Sequence, residues 1–171
     1  MPPSLLHVEC RIAVAGDLPA IARIYNQGIE DRIATLESDP KSEDDVAGWL
    51  FAEPRERYDV IVATASGATA GWAALRPYSH RCAYAGVADV SIYVERAARA
   101  KGVGGQLLAA LEDRACAHGF HKLVLFALAH NLPGLALYGK RGFREVGVFK
   151  EHGTIDGRFA DVVVMEKILS G

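Results

Sequence analysis

The sequence predicts an α/β fold, with a mixed central sheet and helices on both faces. Three observations carry that expectation. Strand-like and helix-like segments succeed one another in the order β-α-α-β-β-β-α-β-α-β-β. A hairpin pattern, "DVIVATA" (59–65), the turn "SG", then "TAGWAALR" (69–76), joins two strands directly. In mid-chain, a strand-like "DVSIYV" (89–94) passes through a glycine-rich turn into the helical pattern "QLLAALEDRACAHG" (106–119). With 171 residues, 50% apolar and 23% charged, the chain can bury a real core, and one domain over 1–171 is expected.

The elements can be justified in order. "RIAV" (11–14) is a short strand. Asp17 can cap the helix "LPAIARIYNQG", which has Pro19 in its first turn and Ile21, Ile24 and Tyr25 on one face. Ser42 with Asp45 is a capping-box start for "EDDVAGWLFAE". After the hairpin and the polar "PYSHRC", "YAGVADVSIYV" (84–94) is a long third strand. The mid-chain helix leads to a buried strand, "KLVLFAL" (122–128), and "HGFH" (118–121) between them reads as C-terminal capping. "HNLP" opens a short helix, "GLALYGKRG", and two strands close the chain, "FREVGVFKEH" and "RFADVVVMEKIL".

Composition excludes several classes of function. A formal net charge of −2 gives no broad pull toward nucleic acid or membrane. No apolar run approaches the roughly 18–20 residues that span a bilayer. "MPPSLLHVEC" lacks the basic and apolar regions of a secretory signal, so a cytoplasmic location is expected. Cys10, Cys82 and Cys116 are odd in number and widely spaced, as reduced thiols are, and the histidines show no metal spacing, so no metal is expected.

The turn "RAKGVGGQLL" (99–108) asks for an explanation, because three glycines in four residues cost backbone entropy at a helix start. It is not a Walker loop, since GxxxxGK[ST] is absent. It is not a dinucleotide fingerprint, since Leu107 stands at the third glycine position of GxGxxG. A glycine turn without a ligand is one reading. The other is a pyrophosphate cradle: a helix N-terminus offers unpaired N–H groups and partial positive charge, with Arg99 and Lys101 beside it.

Arg99-Ala100-Lys101-Gly102-Val103-Gly104 resembles the coenzyme-A pyrophosphate loop, Q/R-x-x-G-x-G/A, of the GNAT N-acetyltransferase superfamily. "HNLPGLALYGKRGF" (130–143) is similar to the same superfamily's N-x-x-A-x-x-x-Y-x-x-x-G-F segment. The segments 21–40, 71–94 and 142–166 look like the phosphinothricin and methionine sulfoximine acetyltransferase branch, and the likeness spans about residues 10–169. It implies a GNAT-type fold whose sheet splays into a V, and an enzyme moving acetyl from acetyl-CoA to the amine of a small amino-acid-like acceptor. It also implies a homodimer in which the C-terminal hairpin (143–168) takes part. Two other readings stay open: an acetyltransferase acting on protein N-termini or other amines, and a silent acyl-CoA-sensing module.

The resemblance assigns residues to the chemistry that acyl transfer to nitrogen requires. Asp89, where the branch usually carries glutamate, is the expected base; the alternative is a strand carboxylate facing solvent or pairing with an arginine. Tyr138, where the branch often has histidine, is the expected proton donor to the sulfur; the alternative is an aromatic packed five residues before Phe143. Ile92, Tyr93 and Val94 should meet pantetheine through their backbone, and Arg99, Ala100, Lys101, Gly102, Val103, Gly104 and Gly105 should hold the pyrophosphate. Asn131 should touch coenzyme A, cap its helix, or do both. For the acceptor, Arg76, Tyr78, Arg81 and Tyr84 flank the loop after the hairpin, and Glu30, Thr35 and Leu36 lie in the covering loop 29–37.

Overall fold

The computed structural model describes residues 4–170; Met1 to Pro3 and Gly171, the ends of the expected 1–171 span, lie outside it. The elements are β1 (Glu9–Ile12), α1 (Leu18–Glu30), α2 (Glu43–Leu50), β2 (Val60–Ala65), β3 (Ala68–Pro77), β4 (Val87–Val94), α3 (Val103–Ala117), β5 (Lys122–Leu128), α4 (Leu132–Lys140), β6 (Arg144–Ile155) and β7 (Arg158–Ile168). Seven strands form one sheet in the order β1-β2-β3-β4-β5-β7-β6, and only the β4–β5 pair is parallel.

That pair is short. It has three rungs, Val87 with Lys122, Ala88 with Leu123 and Asp89 with Val124. Beyond Asp89, β4 stays paired to β3 through Val94, while β5 stays paired to β7 through Leu128. The sheet therefore opens as a V with Asp89 at its crotch.

Side-chain alternation along the strands sends neighbouring residues to opposite faces. Val60, Val62, Trp72 and Ala74 bury against Ile21, Ile24, Ile29, Val46 and Leu50 of α1 and α2. Ala73, Leu75, Val90, Leu123 and Leu125 bury against Leu107, Leu108, Leu111 and Ala115 of α3. Each such leucine or isoleucine contributes about 1.5–3 kcal/mol when removed from water, so both helical layers are held firmly.

Several local expectations need correction. β1 is 9–12 rather than 11–14, because the Val14 N–H leaves the sheet for the Asp17 carboxylate, 2.8 Å away. That carboxylate also takes a two-pronged contact from Arg11, at 2.7 and 2.9 Å, so Asp17 fastens the β1–α1 turn instead of capping α1 with its side chain. The Ser42–Asp45 capping box forms as expected. β4 starts at Val87, not 84, because Cys82–Tyr84 coil into a 3-10 turn. α3 starts at Val103, inside the glycine stretch, and α4 at Leu132. The "HGFH" cap forms as expected: Gly119, at φ +78°, closes α3 with its N–H on the Cys116 carbonyl and the Phe120 N–H on Ala115, while the His118 imidazole reaches Asp59 at 2.8 Å.

Candidate active site

At the crotch, Arg76 of β3 stands directly opposite Asp89 of β4, with Ala74–Ser91 and Trp72–Tyr93 as the next rungs along the same face. Residues directly opposite on one face touch when their side chains are long enough. Yet no ion pair joins Arg76 to Asp89 among the described residues; the guanidinium lies over the Trp49 ring, 4.9 Å from its centroid, and its buried Nε has no acceptor. A buried donor without a partner carries a desolvation cost of about 1–3 kcal/mol that an incoming acceptor would recover. Burial pushes the Asp89 carboxyl up to about 6, and the Arg76 charge and the Val90 N–H hold back that rise.

Aromatic rings floor this side of the V. Tyr93 stacks on Trp72 at 4.7 Å, Tyr25 meets Tyr93 edge-on at 5.1 Å, and Trp49 lies 5.3 Å from Tyr25. Burial also raises the Tyr93 hydroxyl well above its usual range, so it stays protonated.

The other side of the crotch is backbone. Glu95 donates its N–H to Ala70 of β3, so the odd-numbered residues of β4 face β3, and Val90, Ile92 and Val94 turn their N–H and C=O groups toward the opening. Past the third rung these groups have no strand beside them. The turn that follows has a left-handed Ala100 (φ +60°) and a left-handed Gly102 (φ +81°). Among the described residues, the N–H groups of Ala100 through Gly105 meet no backbone acceptor, and this run leads into the first turn of α3. Free donors at a helix N-terminus suit a phosphate. The chemistry of the donor set thus fits coenzyme A.

Two of the glycines also lie against protein side chains. A Cβ on Gly104 would come within 2.8 Å of Leu137, and one on Gly102 within 2.8 Å of Leu5. Protein side chains, from α4 and from the N-terminal segment, take the space. The charges beside the turn are engaged too: Arg99 donates to Asp31 and to the Val94 carbonyl, and Lys101 to the Ala97 carbonyl.

Tyr138 is buried on α4, 5.9 Å from the Phe143 ring, and no hydrogen bond ties its hydroxyl among the described residues. Burial first, and the Asp89 charge second, push its phenol up to about 12. The two expected catalytic groups are therefore within electrostatic reach of each other although they come from opposite sides of the sheet. Asn131 accepts from the Gly134 N–H at 3.1 Å and caps α4.

The remaining acceptor-side residues are scattered. Glu30 is exposed and pairs with Arg96 at 2.9 Å, away from the crotch. Thr35 lies 3.5 Å from the Tyr25 hydroxyl, and Leu36 packs over Gly153 of β6. Tyr78 and Tyr84 are exposed and meet edge-on at 5.5 Å, with Arg81 exposed between them. Sequence reasoning missed Trp49, on which Arg76 rests; its place on the amphipathic α2 gave no sign of the cation. It also missed Asp31 and Arg96, whose partners lie 65 to 68 residues apart along the chain. Among the described residues no His, Cys, Asp and Glu group could hold a metal, and no helix is long and apolar enough to cross a membrane.

With this geometry in place, comparison with known proteins is informative. A model described as the Acetyltransferase (GNAT) family matches residues 21–143. The chain is 32% identical to the L-methionine sulfoximine/L-methionine sulfone acetyltransferase of Pseudomonas paraeruginosa, covering 94% of each chain. A GNAT superfamily phosphinothricin acetyltransferase from Sinorhizobium meliloti, solved in complex with AcCoA, superposes with a TM-score of 0.87 at 32% identity, covering 95% of this chain and 89% of that one. A ribosomal-protein-alanine N-acetyltransferase from Brucella melitensis superposes at 0.89, also at 32% identity, covering 94% of this chain and 99% of that one.

Proposed function

The chain belongs to the GNAT acetyltransferase family, in the branch that includes phosphinothricin and methionine sulfoximine acetyltransferases, and on that premise we propose that it acetylates the α-amino group of a small amino acid of that kind. One observation carries the choice of acceptor class. Arg76 and Asp89 stand side by side at the crotch without pairing, the cation with a buried free donor and the anion half-buried. An α-amino acid offers a carboxylate and an ammonium on one carbon, one group for each. Arg76 holds the carboxylate through charge-assisted hydrogen bonds, and Asp89 takes the ammonium.

Acetyl-CoA supplies the activated acetyl thioester. The open edge of β4 at Ile92 and Val94 holds its pantetheine, with Tyr93 fixing the strand against Trp72 from the other face. The free N–H groups from Ala100 to Gly105 hold its pyrophosphate, and Asn131 positions the start of α4. Asp89, with a carboxyl titrating near 6, is ionised at neutral pH and removes a proton from the acceptor ammonium, directly or through a water. Tyr138, kept protonated by a phenol pushed up to about 12, donates a hydrogen bond to the departing sulfur.

The enzyme is proposed to work in the cytoplasm as a C2 homodimer. Support for the dimer comes from apolar side chains left open on β5, β6 and β7: Phe126, Val146, Val148, Phe149 and Phe159, the last of them 71% exposed. Light scattering at micromolar concentration should return twice the chain mass; a monomer would remove this part of the proposal.

The acceptor reading is tested by free-thiol release from acetyl-CoA with phosphinothricin, methionine sulfoximine, methionine sulfone and their decarboxylated amines. Turnover of the amino acids and loss of it with the amines is expected. Equal turnover of both sets would contradict the role of Arg76.

A further inference from the structure

The V has to be held at a fixed opening, and the sheet alone cannot do this beyond the third β4–β5 rung. Two consecutive residues at the end of α1 touch both arms. On the β4 arm, Asp31 receives a forked contact from Arg96 (2.8 and 3.2 Å) and a further one from Arg99, which also binds the Val94 carbonyl. On the other arm, Arg32 makes a forked contact to Asp156 in the β6–β7 turn (2.8 and 3.2 Å). The Arg32 carbonyl accepts from His130 Nε2 at 2.6 Å, next to the residue that caps α4.

Two features mark the pair as more than surface ion pairs, which contribute little singly. Arg32 is a non-glycine residue held at φ +55°, a conformation that costs about 1 kcal/mol or more and persists only where its surroundings impose it. Its guanidinium also binds the carbonyls of Ile29 and Ser38, at 2.8 and 3.0 Å, and so shapes the loop that covers the acceptor side. Ala34 of that loop and the Tyr93 ring of β4 both lie close against Gly28 of α1, which joins the loop to the strand that bears Asp89.

We propose that Asp31 and Arg32 form a strap across the mouth of the V, a positioning pair that sets the spacing between the cofactor loop on one arm and the α4 and β6–β7 turns on the other. The proposal rests on the acetyltransferase reading for its ligand but not on the identity of the acceptor. A strap acts in series: cut at the Asp31 end, or at the Asp156 end where only the His130 contact to the Arg32 carbonyl then remains, it slackens. Losing Asp31 or Asp156 should therefore loosen both arms, and losing both should do no more than losing one.

The test uses the whole chain with Asp31→Asn, Asp156→Asn and the double variant, and Arg32→Gly, which removes the side chain and relaxes the positive φ. Acetyl-CoA affinity is measured by calorimetry, and amide hydrogen exchange is followed in segments 31–41, 95–105 and 128–134. Each single variant should weaken acetyl-CoA about 5–10-fold, the scale of a modest coupling, with faster exchange in all three segments. The double variant should match the singles within about twofold. Arg32→Gly should bind acetyl-CoA as weakly while melting no lower than the parent. Effects that multiply in the double variant, exchange changes confined to the substituted arm, or tighter binding in Asp31→Asn from a freed Arg99 would each overturn the strap. If methionine sulfone is not turned over by the parent, the acceptor reading fails while acetyl-CoA affinity and exchange still decide the strap.

Discussion

Two aspartates of the same sheet, one just before β2 and one on β4, have opposite fates. Asp59, at the foot of β2, is 4% exposed, and its Oδ2 accepts from Arg114 Nε at 2.6 Å and from His118 Nε2 at 2.8 Å. Burial alone would raise its carboxyl, but those two contacts together bring it below the usual range. Asp89, at the crotch, is also shielded from water, and its nearest cation, Arg76, is laid on Trp49 instead of closing on it; its carboxyl rises to about 6. The difference lies in where the cation is anchored. Arg114 and His118 reach Asp59 from the C-terminal end of α3, whereas Arg76 rests on the Trp49 ring. A carboxylate whose partners close on it becomes a structural rivet, and one whose partner is held off stays available to a ligand.

The largest break in this comparison should come from Asp89→Asn, which keeps the shape and removes the charge. Turnover at neutral pH should fall by roughly 100-fold or more, the scale of a lost general base. Steady-state kinetics with methionine sulfone would show it. Asp59→Ala should leave kcat nearly unchanged and lower stability by about 2–3 kcal/mol, less than the full cost of breaking a buried pair because Arg114 reaches solvent. Denaturant unfolding measures it. The signs with pH should be opposite. The Asp59 contribution is full above its unfolded pKa of about 3.9 and is lost as pH falls below that. The Asp89 carboxyl titrates higher folded than unfolded, so its ionisation costs stability as pH rises from about 4 to 6, and Asp89→Asn should melt slightly higher than the parent at pH 7 but not at pH 3.5.

Arg76→Met keeps the stem on Trp49 and removes the guanidinium. Acceptor KM should rise about 10–100-fold, the worth of a charged hydrogen-bonded contact, with acetyl-CoA affinity unchanged by calorimetry. The smallest kinetic effect is expected from Tyr138→Phe. Its kcat should drop about tenfold, as for one hydrogen bond strengthened only as the sulfur leaves, without a change in acetyl-CoA binding.

Much of this architecture was legible in the residues, and the reasons for success and failure are local against non-local. The element order, the Ser42 box and the Asn131 cap depend on spacings of a few residues, and they stand as read. The glycine turn stands at a helix start as the sequence predicts, but that Leu137 and Leu5 stand over Gly104 and Gly102 is not legible there. No pattern within the turn can announce a leucine thirty residues on. The same holds for the His118 side chain: the "HGFH" cap is local and forms, but the partner of the imidazole is an aspartate 59 residues earlier. Asp31 and Arg32 gave no signal at all. Their meaning lies in partners 65 to 124 residues distant, brought together only by the sheet order that puts β4 and β6 on opposite arms of the V.

Burial raises the Asp89 carboxyl and the lack of an ion-pair partner leaves it free to act, and the pH dependence of kcat/KM for the acceptor tests that role most directly. For the parent enzyme, kcat/KM should climb through an apparent pKa near 6; in Asp89→Asn that limb should vanish, with a deficit that shrinks at high pH where the amine is already neutral. A limb near 6 that survives in Asp89→Asn, or a loss independent of pH and confined to acceptor KM, would contradict it and leave Asp89 as a binder of the ammonium.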